Sequence, residues 1–189
     1  MSPRIPLPDD AALPREIRDT LNALPPLNVF RMVANAPASF RPFIDFAMSI
    51  LLQSELDARK REIAVLRVAH VTRSIYEWTQ HVAVSKSAGL TDDEISKIAV
   101  DGPVIGLDAE GNLLCRVADE ISRDVRLGDE ALAMILERYG VRQATELIFC
   151  CSYFNMLSRF LESTRVELES DAVQSFQRPN LRSSRQPPS

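Results

Sequence analysis

Residues 57–89 constrain the fold of this chain more than any other stretch, because they predict two helices joined by a short break. Residues 57–70 are good helix formers and contain a nearly continuous apolar run, which predicts a helix buried on most sides. The pattern stops just before Ser74. Ser74 and Glu77 then have the spacing of a capping box, and Gly89 suits a left-handed helix end. We therefore expect a second helix from Ser74 to the residue before Gly89.

Four residues of the second helix that could take part in chemistry share one face. Residues spaced three, four and seven positions apart share a helix face, and this spacing is found in Ser74, Glu77, Trp78 and His81. Glu62 lies one helix earlier, and the break would allow it to fold back against that face. Both histidines of the protein, His70 and His81, fall in the same stretch. This face is therefore the candidate active site.

Helical spacing of apolar residues continues through the rest of the chain. The chain has 189 residues with 46% hydrophobic content, which is enough to form one core. Thr91 and Glu94 repeat the capping-box spacing, Asn28 suits a helix cap, and Gly140 suits a helix end. Further helices are predicted over residues 15–24, 29–35, 37–52, 92–100, 129–139 and 142–168, and from residue 109 towards Gly128. We find no convincing strand, so we predict an all-α single domain.

Composition divides the chain into three parts. Residues 1–14 contain prolines and aspartates, and we expect this N-terminal arm to lack regular structure as far as Pro14. Residues 15–169 are expected to form the all-helical domain, with its motif at residues 57–95. From residue 170 the chain is polar and contains prolines and arginines, which predicts a flexible or subunit-binding tail over residues 170–189.

Charge and hydropathy exclude several function classes. The net charge of −4 provides no basic field for nucleic acid. No apolar run reaches the roughly 18 residues that a membrane helix needs, and the N-terminal residues lack the apolar core of a secretory signal. We therefore expect a soluble, cytoplasmic protein whose partner is a small-molecule substrate and which binds neither nucleic acid nor membrane.

The cysteines and histidines indicate no metal site. The three cysteines, Cys115, Cys150 and Cys151, are an odd number without metal-ligand spacing. The two histidines and the scattered carboxylates also lack a known ligand spacing. We expect buried free thiols in a reducing compartment, with no disulfide, no metal and no cofactor.

The spacing of the candidate site resembles a motif of a known family. Redox-active alkyl hydroperoxidase D-like proteins carry a Glu, eleven residues, a Cys, two residues, a second Cys, three residues and a His. This chain has the same spacing at Glu62, Ser74, Glu77 and His81, so both cysteines are replaced. The neighbouring segments REIAVLRVAH, YEW and GLTDDEI match as well. Residues 56–95 thus resemble the carboxymuconolactone decarboxylase family, which includes the alkyl hydroperoxidase D-like (AhpD-like) proteins.

The resemblance implies a fold and an assembly. Members of this family are all-helical, so the implied fold is an AhpD-like multihelical orthogonal bundle in a single domain. They assemble as trimers or hexamers with the motif helices near subunit contacts. This implies a homo-oligomer whose pocket is shared with, or walled by, a neighbouring subunit. The oligomer rests on the resemblance alone, whereas the helical content also follows from the periodicity.

The replaced cysteines argue against the redox route of the family. A thiol peroxidase needs one thiolate to attack the peroxide and a second thiol to resolve the sulfenic acid. The hydroxyl of Ser74 and the carboxylate of Glu77 can do neither. Cys150 and Cys151 are adjacent in an apolar helix, where a disulfide between neighbours is strained and burial raises thiol pKa values.

The candidate site still contains groups that can act as acids and bases. The decarboxylase branch of the family implies proton delivery to the carbon from which carbon dioxide leaves a small carboxylated substrate. In this hypothesis His81 is the general acid, Glu62 orients it or relays its proton, and Glu77 is a second base or a substrate contact. Three further residues are candidates for substrate binding: Arg73, Ser74 and Trp78. Among them, Arg73 is suited to bind a substrate carboxylate.

Structural alternatives exist for the same residues. An ordinary capping box explains Ser74 and Glu77 without catalysis, and Trp78 suits a core or subunit contact. His70 suits a hydrogen-bonded structural role, and a buried Arg67 requires a carboxylate partner. Three functions therefore stay open: a cofactor-free decarboxylase or related lyase, a degenerate relative of the peroxidase branch, and a non-catalytic oligomer.

Overall fold

A computed structural model describes residues 4–169 of the chain. These residues form eight α-helices, and no strand occurs among them. The bounds are α1 Arg15–Ala23, α2 Asn28–Val33, α3 Pro37–Met48, α4 Ala58–Thr72, α5 Ile75–Ser87, α6 Asp92–Ile98, α7 Ala109–Asp124 and α8 Asp129–Thr164. A 3-10 turn (Asp10–Ala12) precedes α1, and a π-helical turn (Ser49–Gln53) follows α3. The predicted all-α fold is confirmed.

Helix α4 is the centre of the core. The side chain of Asp57 caps its start by accepting hydrogen bonds from two backbone N–H groups of the first turn. Residues 61–69 are all buried, and α5, α7 and α8 pack against this helix. This burial follows from the apolar run in the sequence, which leaves no polar face for solvent. Three charged residues of this segment are therefore carried into the interior: Glu62 and Arg67 are 0% exposed and Arg61 is 9% exposed.

Arg67 ties α4 to α7 and to the segment that follows α6. Its guanidinium makes two hydrogen bonds to the carboxylate of Asp119, at 2.8 and 3.0 Å. Its other N–H groups donate to the backbone carbonyls of Ile98, Val100 and Gly102, at 2.6 to 2.9 Å. All five donors of the side chain are thus used. The predicted carboxylate partner of Arg67 is confirmed.

The break between α4 and α5 differs in detail from the prediction. Arg73 ends α4 in the left-handed backbone region, with φ at 58°. Ser74 precedes α5, but its hydroxyl makes no cap hydrogen bond. The predicted capping box at Ser74 and Glu77 is therefore wrong, because both side chains belong to the buried side of α5. The second predicted box, at Thr91 and Glu94, is confirmed.

The N-terminal arm is more ordered than the sequence predicts. The backbone N–H of Ile5 donates to the carbonyl of Thr164 at 3.2 Å. Arg31 of α2 donates to the carbonyl of Pro8 at 3.2 Å. Residues 4–9 contain no helix or strand, as expected, but the domain supplies partners for their backbone groups, and a 3-10 turn at Asp10–Ala12 precedes Pro14.

Other helix ends shift by a few residues. Helix α2 includes Asn28, so Leu27 rather than Asn28 is its cap residue. Helix α8 ends at Thr164 rather than at residue 168. Residues 1–3 and the predicted tail at 170–189 lie outside the described residues. Between residues 4 and 169, no helix has the length and apolar character needed to cross a membrane.

Gly140 divides α8 into two helical segments, as the sequence predicts. Its backbone angles, φ 70° and ψ 175°, lie in a region that is essentially restricted to glycine. We expect Gly140→Ala to lower the free energy of unfolding by about 1–3 kcal/mol, because a Cβ strains this backbone. No other part of the described chain lies within 4 Å of the added Cβ, so a steric clash contributes nothing.

The control for this prediction is Gly102→Ala. A Cβ at Gly102 also meets nothing within 4 Å, but Gly102 does not have the positive φ of Gly140. Urea unfolding of both variants measures the difference. Equal stability of the two variants would contradict the role given to the backbone angles of Gly140.

Candidate active site

Glu62 and His81 meet where α5 folds back against α4. The Nδ1 atom of His81 lies 2.7 Å from Oε2 of Glu62. The side chain of Glu62 is 0% exposed and that of His81 is 13% exposed. The second oxygen of Glu62 accepts a long hydrogen bond of 3.4 Å from Nε of Arg61. The predicted approach of Glu62 to the His81 face is confirmed, and we call this pair the Glu62–His81 dyad.

The contact with Glu62 decides which nitrogen of His81 is available. A carboxylate accepts hydrogen bonds, so Nδ1 carries the proton and donates it to Glu62. Within residues 4–169, no side chain or backbone group forms a hydrogen bond with Nε2. The ring packs edge-on against Phe154, with centroids 4.9 Å apart. Nε2 is therefore the atom of the dyad that can exchange a proton with a bound molecule.

His81 lines a small cavity together with Glu77. The cavity has a volume of about 100 Å³. Its other walls are mostly apolar and come mainly from α2, α3 and α8, including Val29, Phe30, Phe43, Ala47, Phe154 and Leu157. No lysine or arginine lines it. Pockets for drug-sized ligands are about 300–1,000 Å³, so this cavity fits only a small, largely apolar molecule.

Glu77 is the second ionisable group at the cavity. It is 2% exposed, and burial raises its pKa to about 7, although a hydrogen bond from Ser158 and the charge of His81 act in the opposite direction. The Ser158 hydroxyl donates to its Oε2. Its other oxygen, Oε1, and the nearby Ser74 hydroxyl are buried without a hydrogen-bond partner in the described chain. Glu77 can therefore give or take a proton near neutral pH.

A polar cluster closes one side of the cavity. The Glu169 carboxylate accepts hydrogen bonds from the backbone N–H of Asn28 and from the Gln80 side chain, both at 2.5 Å. It also accepts from the hydroxyl of Tyr76, whose pKa is raised well above its usual value by burial and by Glu169. Tyr76 and Gln80 line the cavity. No pattern in the sequence predicts this cluster, because Glu169 is distant in the chain from the residues that it contacts.

Ser158 was also missed, although the sequence contains a signal for it. It is a polar residue within the apolar run LIFCCSYFNMLSRFL of α8, and it is 1% exposed. A buried hydroxyl requires a hydrogen-bond partner, and here that partner is Glu77. The position of this serine in an apolar helix face therefore pointed to a polar group on a neighbouring helix.

The structure does not bring the three predicted substrate-binding residues to the cavity. Arg73 is exposed and lines a separate surface depression with His70 and Asp101. Trp78 is half-buried and packs edge-on against His70, with centroids 6.0 Å apart. Ser74 is buried beside Glu77 but does not line the cavity. Arg73 in particular is separated from His81, because it ends α4 at the surface.

The cysteines are buried thiols, as predicted. Cys115, Cys150 and Cys151 are free and buried. Burial raises the pKa of Cys115 and Cys151 to about 12, and that of Cys150 well above its usual value. The thiolate is the reactive form of cysteine, so these thiols are poor nucleophiles at neutral pH. Among residues 4–169, no group of His, Cys, Asp and Glu side chains is arranged to hold a metal ion.

Comparison with known families agrees with this geometry. The model of the carboxymuconolactone decarboxylase family matches residues 37–120, which contain both members of the Glu62–His81 dyad. This part of the chain is similar to the carboxymuconolactone decarboxylase family. No curated protein matches its sequence significantly.

Solved structures share the fold at low sequence identity. An uncharacterized peroxidase-related protein from Ralstonia eutropha, described as an alkylhydroperoxidase AhpD core, matches with a TM-score of 0.77 and 18% identity, over 92% of this chain and 96% of its own. A peroxidase-related protein from Silicibacter matches with a TM-score of 0.73 and 18% identity, over 88% and 90%. A putative antioxidant defence protein AhpD from Agrobacterium tumefaciens matches with a TM-score of 0.62 and 17% identity, over 74% and 96%. These likenesses establish the AhpD-like fold.

Proposed function

We propose that this protein is a cofactor-free acid–base enzyme that acts on a small molecule, as a decarboxylase or related lyase. The observation that carries the proposal is the 2.7 Å hydrogen bond between Glu62 and His81 at the wall of an apolar cavity. A histidine held by a buried carboxylate through one nitrogen, with the other nitrogen available, is suited to proton transfer.

In this proposal His81 delivers the proton. Glu62 accepts the hydrogen bond from Nδ1, fixes the orientation of the ring and stabilises the positive charge that His81 carries when Nε2 is protonated. Nε2 then gives its proton to the carbon from which carbon dioxide leaves. Arg61, at 3.4 Å from the other oxygen of Glu62, partly balances the buried negative charge.

Glu77 has a supporting role in the proposal. With a pKa of about 7 it is present in both its neutral and its charged form at neutral pH. The neutral form can donate a hydrogen bond to a substrate carbonyl, and the charged form can accept a proton. Its unpartnered Oε1 is available for either interaction.

The size of the cavity and the charges of its lining favour a small substrate with a single carboxylate. Its walls hold no lysine or arginine, so protonated His81 is the cation that would meet that carboxylate. Loss of carbon dioxide removes the charge from the substrate, and apolar walls favour a neutral product over a buried ion. Small β-keto acids and lactone acids meet these requirements. Arg73 does not line the cavity, so the structure offers no support for a contact between Arg73 and the substrate.

A peroxidase-type function has less support. Two of the similar structures are described as peroxidase-related. In this chain, however, Ser74 and Glu77 occupy the positions of the redox cysteines, and none of its three cysteines lines the cavity. A thiol route would need a reactive thiolate next to the peroxide.

The test is carbon dioxide release from a panel of small β-keto and lactone carboxylic acids. We expect His81→Ala to reduce turnover by about 10²- to 10⁴-fold, which is the usual contribution of a general acid or base. His70→Ala is the matched control, because it removes the other histidine, which does not line the cavity, and it should keep wild-type turnover. Glu62→Gln should lower turnover with the fold intact.

Other outcomes would contradict the proposal. If the wild-type protein releases no carbon dioxide from any acid of the panel, decarboxylation of these acids is excluded and a non-catalytic oligomer becomes the better explanation. Peroxide consumption that persists after alkylation of every cysteine would instead support a degenerate peroxidase. Equal losses in His81→Ala and His70→Ala would show that histidine removal acts only on stability.

A further inference from the structure

Two hydroxyl groups connect Glu77 to the surface of the protein. Ser158 donates a hydrogen bond to Oε2 of Glu77, and Thr72 donates to the hydroxyl oxygen of Ser158 at 2.8 Å. Thr72 and Ser158 both line a surface cleft of about 420 Å³ formed by α4, α7 and α8. Neither residue lines the cavity that holds His81. Glu77 therefore contacts the cavity on one side and the hydroxyl chain on the other.

We propose that Thr72 and Ser158 form a proton relay that supplies Glu77 from the cleft. The inference rests on the proposed function, because decarboxylation of a carboxylate consumes one proton for each molecule of carbon dioxide formed. That proton comes from the solvent, yet Glu77 is only 2% exposed and Glu62 is 0% exposed. His81 gives up its Nε2 proton in each turnover, and Glu77, which lines the same cavity, is the acid that can protonate it again. Glu77 therefore needs a path by which it receives protons from the solvent.

The number of protons is conserved at each step of the relay. A hydronium ion in the cleft gives a proton to the Thr72 oxygen and becomes a water molecule, while the Thr72 hydroxyl proton moves to the oxygen of Ser158. The Ser158 hydroxyl proton moves in turn to Oε2 of Glu77, and the carboxylate becomes a carboxylic acid. Each hydroxyl gains one proton and loses one, so neither changes its charge. Rotation about the Cγ–Cδ bond of Glu77 then exchanges the positions of its two oxygens and carries the proton to the side where Oε1 was.

The local geometry is suited to this sequence. The Thr72 hydroxyl has a second acceptor, the backbone carbonyl of Val68 at 2.8 Å, so its proton can turn away from Ser158 and back again. The ionisable groups around Glu77 are His81 on α5 and, on α8, Glu162 and the buried Tyr153. Glu162 and Arg159 also line the cleft, so its lining carries one charge of each sign.

The experiment measures proton uptake by Glu77 directly, so that it does not depend on turnover. After a rapid change of pH across the pKa of Glu77, time-resolved infrared spectroscopy follows the carboxyl band that Glu77→Gln abolishes. We expect Thr72→Val, which keeps the shape but removes the hydroxyl, to slow uptake by about 10- to 100-fold. Ser158→Ala should slow it as well, and Thr72→Ser should restore the wild-type rate.

The matched control is Ser163→Ala, which removes another hydroxyl from the wall of the same cleft without touching the chain to Glu77. It should leave uptake unchanged, and circular dichroism confirms that each variant is folded. The relay is overturned if Thr72→Val takes up protons at the wild-type rate, even when Ser158→Ala is slow, because Ser158 would then only position Glu77. If uptake follows the expected pattern but no carbon dioxide is released from any acid, the relay stands and the proposed reaction fails.

Discussion

Replacing Arg67 by methionine is expected to lower the free energy of unfolding by about 3–5 kcal/mol, which is the usual cost of removing one partner of a buried ion pair. Methionine fills a similar volume but donates no hydrogen bond. The substitution leaves the Asp119 carboxylate without its bidentate partner and three backbone carbonyls without the donors that they have in the wild type. Urea unfolding followed by circular dichroism measures the loss.

The control is an arginine with similar ion pairs on the surface. Arg116 contacts Glu120 at 2.7 Å and Glu130 at 2.9 Å, and its side chain is 40% exposed. We expect Arg116→Met to cost less than about 1 kcal/mol, because solvent screens exposed pairs. Arg67→Lys should lie between the two, since it keeps the charge but loses the planar fork. A loss in Arg67→Met no larger than in Arg116→Met would contradict the structural role of Arg67.

Replacing Glu77 by glutamine is expected to change how stability depends on pH. The carboxyl ionises near its ordinary pKa of 4.5 in the unfolded chain and near 7 in the folded protein. Between these values the folded protein holds a proton that the unfolded chain has released, so the stability of the wild type falls as the pH rises. The decrease is about 3 kcal/mol in total, because one pKa unit corresponds to about 1.4 kcal/mol. Glutamine does not ionise and removes this decrease.

The measurement is urea unfolding of the wild type and Glu77→Gln at about pH 4 and about pH 8, which bracket the window between the two pKa values. The variant should gain stability relative to the wild type at the higher pH only. Glu137→Gln, which removes an exposed carboxylate of α8, should show the pH dependence of the wild type. A constant difference between Glu77→Gln and the wild type at both pH values would show that Glu77 ionises alike in the folded and unfolded states.

Much of the fold could be predicted because helices carry local signals. The apolar run of residues 63–71 indicated a helix buried on most sides, and Gly140 and the Thr91–Glu94 pair marked helix ends. The prediction failed where burial outweighed a local signal, as at Ser74, whose hydroxyl faces the interior instead of the first turn of α5. The contacts of the N-terminal arm with the domain could not be predicted, because its partners, such as Thr164, lie far away in sequence.

The candidate site could be predicted in part. The spacing of Glu62 and His81 matched a family motif, and the helix break gave the physical reason for their contact. The cavity could not be predicted, because α2, α3 and α8 contribute walls that no local pattern relates to α5. Ser158, which contacts Glu77 from outside the cavity, was missed although the sequence contained a signal, since a buried serine requires a polar partner. The homo-oligomer stays a prediction.

The position of α4 has a consequence for the motions of the site. A helix surrounded by three others exchanges its amide hydrogens only when most of the domain opens, whereas helices at the edge of a bundle open locally. Glu62 belongs to this surrounded helix. The carboxylate that orients His81 is therefore anchored in the segment that unfolds last, and the dyad keeps its alignment through local fluctuations of α2 and α3, which wall the cavity without carrying either of its members.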